Sequence, residues 1–135
     1  MAVFASAEQM YACFQEVFAC VEESRPDAAD AVLASGLVIR FRCTEPVAEL
    51  TIDGGKRPLQ IHYGPAKTRP TLEVALTADT LHQIMSGHLS LTKALGRGLL
   101  KPKGPVWKVK TLAPLFDEAR RHYTAVVRKH GIKIP

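Results

Sequence analysis

The sequence predicts a single α+β domain in which helices cover one face of a mostly antiparallel sheet. Apolar residues recur at helical spacing near both ends of the chain, and the stretches between them alternate apolar and polar residues as strands do. A chain of 135 residues is long enough for one hydrophobic core. With no internal repeat and no linker, we predict one domain over residues 1–135, with residues 106–131 as a C-terminal helical segment.

The N-terminal part of the chain predicts two consecutive helices. Ser6 and Gln9 form a capping-box pattern, which marks a helix start. The apolar face of this first helix consists of Tyr11, Phe14, Val17, Phe18 and Val21. The helix should end near Ser24, and Pro26 should begin a short helix that Gly36 closes.

The middle of the chain predicts most of the sheet. Strands are expected over residues 37–43, 47–52, 58–63 and 71–77, with a fifth over residues 98–103. The Asp53-Gly54-Gly55 segment has the composition of a tight turn between two strands. Pro102 cannot donate a ladder hydrogen bond, so the fifth strand should lie at an edge or contain a bulge.

The second half of the chain predicts three more helices. Thr77 or Asp79 should cap the first, which Gly87 ends, and a short helix should cover residues 91–95. The last helix should have Pro114 in its first turn. Its apolar stripe comprises Leu112, Leu115, Phe116, Ala119, Tyr123, Val126 and Val127.

Charge is distributed unevenly along the chain. Residues 1–55 have three basic and nine acidic side chains, whereas residues 56–135 have fifteen basic and four acidic ones, and the net charge is +5. This asymmetry permits contact with an anionic membrane, nucleic acid or an acidic partner, and it does not choose among them. The chain has no apolar run of membrane-spanning length and no secretory signal pattern, so we expect a cytoplasmic location.

The reactive side chains form no recognisable catalytic pattern. The three cysteines and five histidines are scattered, and no metal-ligand spacing or nucleophile motif is present. We therefore expect no catalytic residue, no metal and no cofactor, and we rank a small histidine-dependent enzyme low. The lysines around Trp107 resemble a nucleic-acid patch in composition, but Trp107 alone could stack on bases, so we expect no nucleic-acid partner.

An excess of long aliphatic side chains lies between Leu81 and Leu100. Any one of these residues is best explained as part of the core. Together, short helices with flexible aliphatic side chains packed over a sheet could leave an internal cavity, whereas long rigid helices would tend to close it.

Two neighbouring segments in this region resemble the sterol carrier protein family. Residues 76–89, LTADTLHQIMSGHL, are similar to that family's strand followed by a helix that ends in glycine. Residues 94–104, ALGRGLLKPKG, are similar to its next signature of helix, glycine, short strand and glycine. The resemblance covers roughly residues 10–118. It implies a five-stranded sheet, an apolar tunnel between sheet and helices, and binding of fatty acyl chains, acyl-CoA or sterols without a catalytic residue.

From the resemblance and the apolar pattern we predict non-catalytic binding and transfer of an elongated lipid. The predicted ligand-binding residues are Leu50, Ile52, Ile61, Met85, Leu89, Leu95, Leu99, Leu112, Leu115 and Phe116. The alternative is an accessory domain that presents a lipidic substrate to a partner enzyme or docks on that enzyme. The expected partners are thus a lipid or sterol-like molecule and, transiently, an anionic membrane. The C-terminal helix is either a lid over the ligand, a permanent core helix or a dimer contact.

Overall fold

The computed structural model describes residues 3–132 and confirms the α+β class. The first helix, α1, spans Ala7–Ser24, and the Ser6 hydroxyl accepts a hydrogen bond from the Gln9 amide at 3.1 Å, as the capping box predicts. A 3₁₀ helix over Pro26–Ala29 leads into α2 over Asp30–Ser35. Gly36 ends α2 with a φ of 66°, a left-handed conformation that glycine adopts without strain.

Five strands form one mixed sheet. They are β1 (Val38–Thr44), β2 (Ala48–Asp53), β3 (Gln60–Tyr63), β4 (Leu72–Thr77) and β5 (Lys101–Lys103). The order across the sheet is β3-β2-β1-β4-β5, where β1 and β4 are parallel and the other three pairs are antiparallel. The fifth strand is shorter than predicted and lies at the sheet edge, a position that tolerates Pro102.

The remaining helices follow β4. They are α3 (Ala78–Met85), α4 (Leu91–Gly96), a second 3₁₀ helix (Val106–Leu112) and α5 (Ala113–Lys129). Side-chain oxygens cap the first two: Thr77 accepts from the Thr80 amide at 3.0 Å, and Ser90 accepts from the Lys93 amide at 3.0 Å. Pro114 lies in the first turn of α5, as predicted.

The two faces of the sheet differ in polarity. One face carries apolar side chains such as Phe41 and buries them against the helices, with the Phe41 and Phe116 ring centroids 5.8 Å apart. On the other face, the Arg42 guanidinium lies 3.0 Å from the Glu73 carboxylate. Alternation along each strand therefore places the core between the sheet and one layer of helices.

The C-terminal helix α5 is part of this core. It packs against α1, and the ring centroids of Phe14 and Tyr123 lie 5.7 Å apart. The Tyr123 hydroxyl is 2.7 Å from Nδ1 of His82 on α3. Because the apolar stripe of α5 is buried between α1 and the sheet, the structure favours the core-helix alternative over the lid and the dimer contact.

Candidate ligand-binding site

An open cleft of about 540 Å³ lies beside the edge strand β3. The C-terminal half of α1, the first 3₁₀ helix, α2 and the segment 57–63 form its walls. The lining residues are Gln15, Phe18, Ala19, Val21, Glu22, Pro26, Ala29, Asp30, Leu33, Arg57, Pro58, Leu59, Ile61, Tyr63 and Leu115. This size is typical of pockets that bind small molecules.

The cleft exists because β3 is short and incompletely covered. Its four residues are exposed or half-buried, whereas the central strands β1 and β4 are buried on their inner face. Tyr63 packs edge-on against Tyr11 of α1, with ring centroids 6.3 Å apart, and this contact lies at one end of the strand. Beyond it, the half-buried Ile61 and Leu59 line a gap between sheet and helices.

A much smaller void of about 10 Å³ lies deeper, between the sheet and the helices. Its walls are Phe14, Phe18, Phe41, Leu50, Ile52, Ile61, Leu81 and Phe116. A void of this size has room for about one water-sized probe. Phe18 and Ile61 belong to both linings, so these two side chains stand between the open cleft and the closed interior.

The structure thus contains an open cleft and a much smaller inner void where the resemblance implies one continuous tunnel. The aromatic rings of Phe14, Phe18, Phe41 and Phe116 are buried and line this inner void. An acyl chain could extend past the cleft only if some of these rings moved.

The predicted ligand-binding residues fall into three groups in the structure. Leu50, Ile52, Ile61 and Phe116 surround the inner void, and Ile61 and Leu115 line the cleft. Met85, Leu89 and Leu112 are buried without lining either space. Leu95 lines a different groove, and Leu99 is 39% exposed. A role in ligand binding for these ten residues remains a prediction.

Several residues that line the cleft come from the N-terminal half of the chain, where the sequence pattern predicts only core positions. Phe18 lies on the apolar face of α1, and Leu33 is on α2. Helical periodicity shows which face of a helix is apolar, but it does not show whether a neighbouring element covers that face. The signal that could have found these residues was the short, proline-flanked β3, because a short edge strand leaves the adjacent helix partly uncovered.

The polar groups of the cleft lie among apolar walls. Glu22 and Asp30 are acidic, and Arg57 on the β2–β3 loop is a cation that could meet a ligand headgroup. Burial raises the pKa of the Tyr63 hydroxyl well above its ordinary value, so this group stays protonated at neutral pH. The arrangement suits an apolar ligand with one polar end.

Residues 3–132 contain no group of three His, Cys, Asp or Glu side chains suited to a metal. Burial raises the pKa of the Cys13 thiol to about 11 and that of Cys43 to about 12, which keeps both thiols protonated and poorly nucleophilic.

One hydrogen-bonded cluster contains a serine, a histidine and a carboxylate. The Ser24 hydroxyl is 3.0 Å from Nε2 of His122, and the Glu118 carboxylate is 3.1 Å from the same nitrogen. In a catalytic triad the nucleophile contacts one ring nitrogen and the orienting acid contacts the other. Ser24 and Glu118 contact the same nitrogen of His122, so this arrangement is a hydrogen-bond network without triad geometry.

The fold and the cleft define a small α+β domain with a largely apolar cleft. The chain belongs to the SCP-2 sterol transfer family, whose sequence model matches residues 18–117. This match confirms the resemblance seen in the sequence, and it includes Phe18, Ile61 and Phe116 around the inner void.

No helix in the described part of the chain is both long and apolar enough to cross a membrane.

Solved structures share the fold. The sterol carrier protein domain 2 of Helicoverpa armigera has a TM-score of 0.65 at 15% identity, over 84% of this chain and 89% of that one. The apo form of sterol carrier protein 2 from Yarrowia lipolytica has a TM-score of 0.62 at 16% identity, over 82% of this chain and 89% of that one. The comparison with curated proteins found no match.

The fold also resembles one part of a much larger enzyme. The sec-alkylsulfatase Pisa1 from Pseudomonas sp. is similar over 69% of this chain, with 25% identity and a TM-score of 0.50. This chain spans 14% of the length of that enzyme. The same architecture therefore occurs both as a small protein and as a segment of a longer one.

Proposed function

We propose that this chain binds one elongated apolar ligand, of the fatty acyl, acyl-CoA or sterol type, in the cleft and transfers it without catalysing a reaction. The observation that carries the proposal is the open apolar cleft, whose walls at Phe18 and Ile61 continue into the inner void. Membership of a sterol transfer family supports this ligand class.

Apolar burial alone is sufficient for useful affinity. A chain of about 14 methylenes, each contributing about 0.8 kcal/mol, gives roughly 11 kcal/mol of gross stabilisation. Loss of ligand motion removes several kcal/mol of this. The remainder corresponds to an affinity of about micromolar strength without any specific polar contact. The Arg57 guanidinium would then add selectivity for an anionic headgroup rather than most of the affinity.

The proposed role is non-catalytic and cytoplasmic. The buried thiols and the Ser24-His122-Glu118 network supply no activated nucleophile. All three cysteines are free, which suits a reducing compartment.

Replacing an apolar wall residue of the cleft tests the proposal. Leu33 on α2 is half-buried and lines the cleft, so Leu33→Gln should weaken binding of a fluorescent fatty acid by about three- to tenfold, because polar surface replaces apolar contact. Val47→Gln is the matched control, since Val47 is 80% exposed and lies outside the cleft. Fluorescence titration of both variants gives the dissociation constants. Equal affinity in both variants and the unmodified chain would place the ligand elsewhere.

A second candidate is an accessory domain that presents a lipidic substrate to a partner enzyme. The observation that favours it is the occurrence of this fold as a small part of an alkylsulfatase. Affinity purification under native conditions distinguishes the two: a carrier should elute with lipid alone, and an accessory domain should elute with one enzyme in fixed proportion.

A further inference from the structure

An open apolar groove of about 410 Å³ lies between α4 and the second 3₁₀ helix, apart from the cleft. Its lining includes Leu91, Leu95, Val106 and Trp107. The Trp107 side chain is 70% exposed, and Leu99, in the segment that leads from α4 to β5, is also exposed. Large apolar side chains exposed beside an apolar groove are typical of an interaction surface.

α4, the second 3₁₀ helix and the segment between them carry only positive charge. From residue 80 to residue 116 the sequence contains no Asp or Glu, and its six basic side chains are Lys93, Arg97, Lys101, Lys103, Lys108 and Lys110. Lys110 itself lines the groove. We call the groove together with these six cations the basic groove.

The cations of the basic groove have no acidic partners within the described chain. Among residues 3–132, none of the six lies within 4.0 Å of a carboxylate, whereas Arg40, Arg42 and Lys129 each form such a pair. Glu73 is opposite Lys103 in the sheet register, but its carboxylate contacts Arg42 at 3.0 Å. The fold therefore leaves these six cations available to an external anion.

We propose that the basic groove is a docking surface for an anionic lipid bilayer. Tryptophan favours the interface between headgroups and acyl chains, where its ring is buried and its N–H finds a polar partner. Lysine and arginine side chains beside it are attracted by the negative surface potential of anionic lipids. The basic groove combines both features, with Trp107 and Leu95 able to reach the acyl boundary while Lys108 and Lys110 contact headgroups.

A bilayer fits this surface better than a nucleic acid does. A phosphate backbone would neutralise the lysines but would leave the apolar groove in contact with water. Binding of single strands relies on several stacked aromatic rings, and Trp107 is the only tryptophan in the chain. The apolar interior of a lipid interface covers the groove while the headgroups neutralise its cations.

A contact between helices links the basic groove to one wall of the proposed lipid cleft. The second 3₁₀ helix, which lines the groove, packs against α2. On α2, Asp30 and Leu33 line the cleft. The docking proposal rests on the basic groove itself, and it stands or fails independently of ligand binding in the cleft.

The single tryptophan provides a direct test with the full chain. We expect phosphatidylcholine vesicles containing phosphatidylserine to shift Trp107 fluorescence to shorter wavelength, and pure phosphatidylcholine vesicles to leave it nearly unchanged. High salt should reverse most of the shift, because the attraction is between exposed charges. No shift with either vesicle would overturn the proposal.

Reversing the charge of two lysines tests whether the basic groove is the surface that binds the membrane. The double variant Lys108→Glu with Lys110→Glu should weaken vesicle co-sedimentation by at least about tenfold. The matched control is Lys67→Glu with Arg69→Glu, which changes net charge equally on an exposed loop between β3 and β4 and should bind nearly as well as the unmodified chain. Equal loss in both double variants would show an effect of net charge alone and would contradict the proposal. Tighter binding to a DNA duplex than to anionic vesicles, at the same salt, would also contradict it.

Discussion

At the scale of single residues, Phe18 lies at the junction between the open cleft and the inner void. Its ring is only 9% exposed, and it contacts both spaces together with Ile61. If the ligand extends into the interior, this ring must move. Phe18 is therefore the side chain whose size should most affect how deeply a ligand enters.

Truncating the Phe18 side chain should lower the stability of the fold and increase the affinity for a long ligand. Phe18→Ala should lower the free energy of unfolding by about 3 kcal/mol, because it removes a buried ring, and it should also increase the affinity for a long fatty acid by opening the interior. Phe14→Ala is the matched control, since Phe14 borders the inner void but does not line the cleft. It should destabilise similarly without increasing affinity. Urea denaturation and fatty acid titration measure the two effects, and equal affinity gains in both variants would refute this role of Phe18.

His82 links stability to pH. Burial lowers its pKa, partly opposed by the nearby Asp79 carboxylate and reinforced by His88. The ring lies 2.7 Å from the Tyr123 hydroxyl and packs edge-on against Phe4, with ring centroids 5.9 Å apart. The folded state thus holds His82 neutral, whereas an unfolded histidine binds a proton below a pH of about 6.5.

The resulting pH dependence has a definite sign. Between the lowered folded-state pKa and about pH 6.5 the unfolded state binds more protons, so stability should fall as the pH falls through this range and be fully present above it. His82→Gln keeps a hydrogen-bonding side chain and should reduce this slope, although it lowers stability at pH 7. Urea denaturation between pH 7 and pH 5 is the measurement. An unchanged slope in the variant would assign the dependence to other groups.

At the scale of elements, the position of α2 determines the width of the cleft. Gly54 lies directly after β2, and a Cβ atom there would come within 2.6 Å of the Val32 carbonyl oxygen on α2. The same atom would come within 2.8 Å of the Leu37 carbonyl oxygen. Only glycine allows α2 to approach the sheet this closely, and α2 carries the cleft residue Leu33.

Adding one methyl group at this contact should displace α2. Gly54→Ala should cost about 1–3 kcal/mol of stability, because the clash is with backbone atoms that cannot rotate away. It should also weaken fatty acid binding. Gly96→Ala on α4 is the matched control, with no atom within 4 Å of the added Cβ, and should be neutral or slightly stabilising. Thermal unfolding of both variants tests this, and a neutral Gly54→Ala would mean that α2 can shift without cost.

Local sequence signals predict the helix boundaries well because the residues that cap or begin a helix lie within a few positions of it. The Ser6 cap, the Thr77 cap and Pro114 in the first turn of α5 all act within a few residues of their helix. Strand order has no such local signal. The parallel pairing of β1 with β4 depends on the connection over residues 64–71, whose Ala66 carbonyl accepts a hydrogen bond from Arg40 at 3.0 Å. That contact joins residues 26 positions apart.

The candidate site was predicted only in part for a similar reason. Leu50, Ile52 and Phe116 border the inner void as residues on an inward apolar face should. Met85 and Leu112 have the same apolar character but are packed in the core. A residue that lines a cavity and one that fills the core have the same pattern in sequence, because the difference lies in what the neighbouring element leaves uncovered.

At the scale of the whole molecule, folding neutralises part of the charge asymmetry. Glu16 on α1 lies 2.7 Å from Lys129 and 3.1 Å from His130, which joins the acidic first half to the basic tail. The cations between residues 80 and 116 are not neutralised in this way within the described chain. Positive charge thus remains uncompensated on and beside α4, β5 and the second 3₁₀ helix, which form the proposed docking surface.

The most direct test of the central claim is mass spectrometry of the purified protein, first under native conditions and then after solvent extraction. The account predicts a complex heavier than the chain by one lipid, and an extract containing fatty acyl or sterol-like molecules. Leu33→Gln should contain less of this lipid than Val47→Gln. Protein that carries no lipid, and that takes up none when incubated with fatty acids, acyl-CoA or sterols, would contradict the claim that this chain is a lipid carrier.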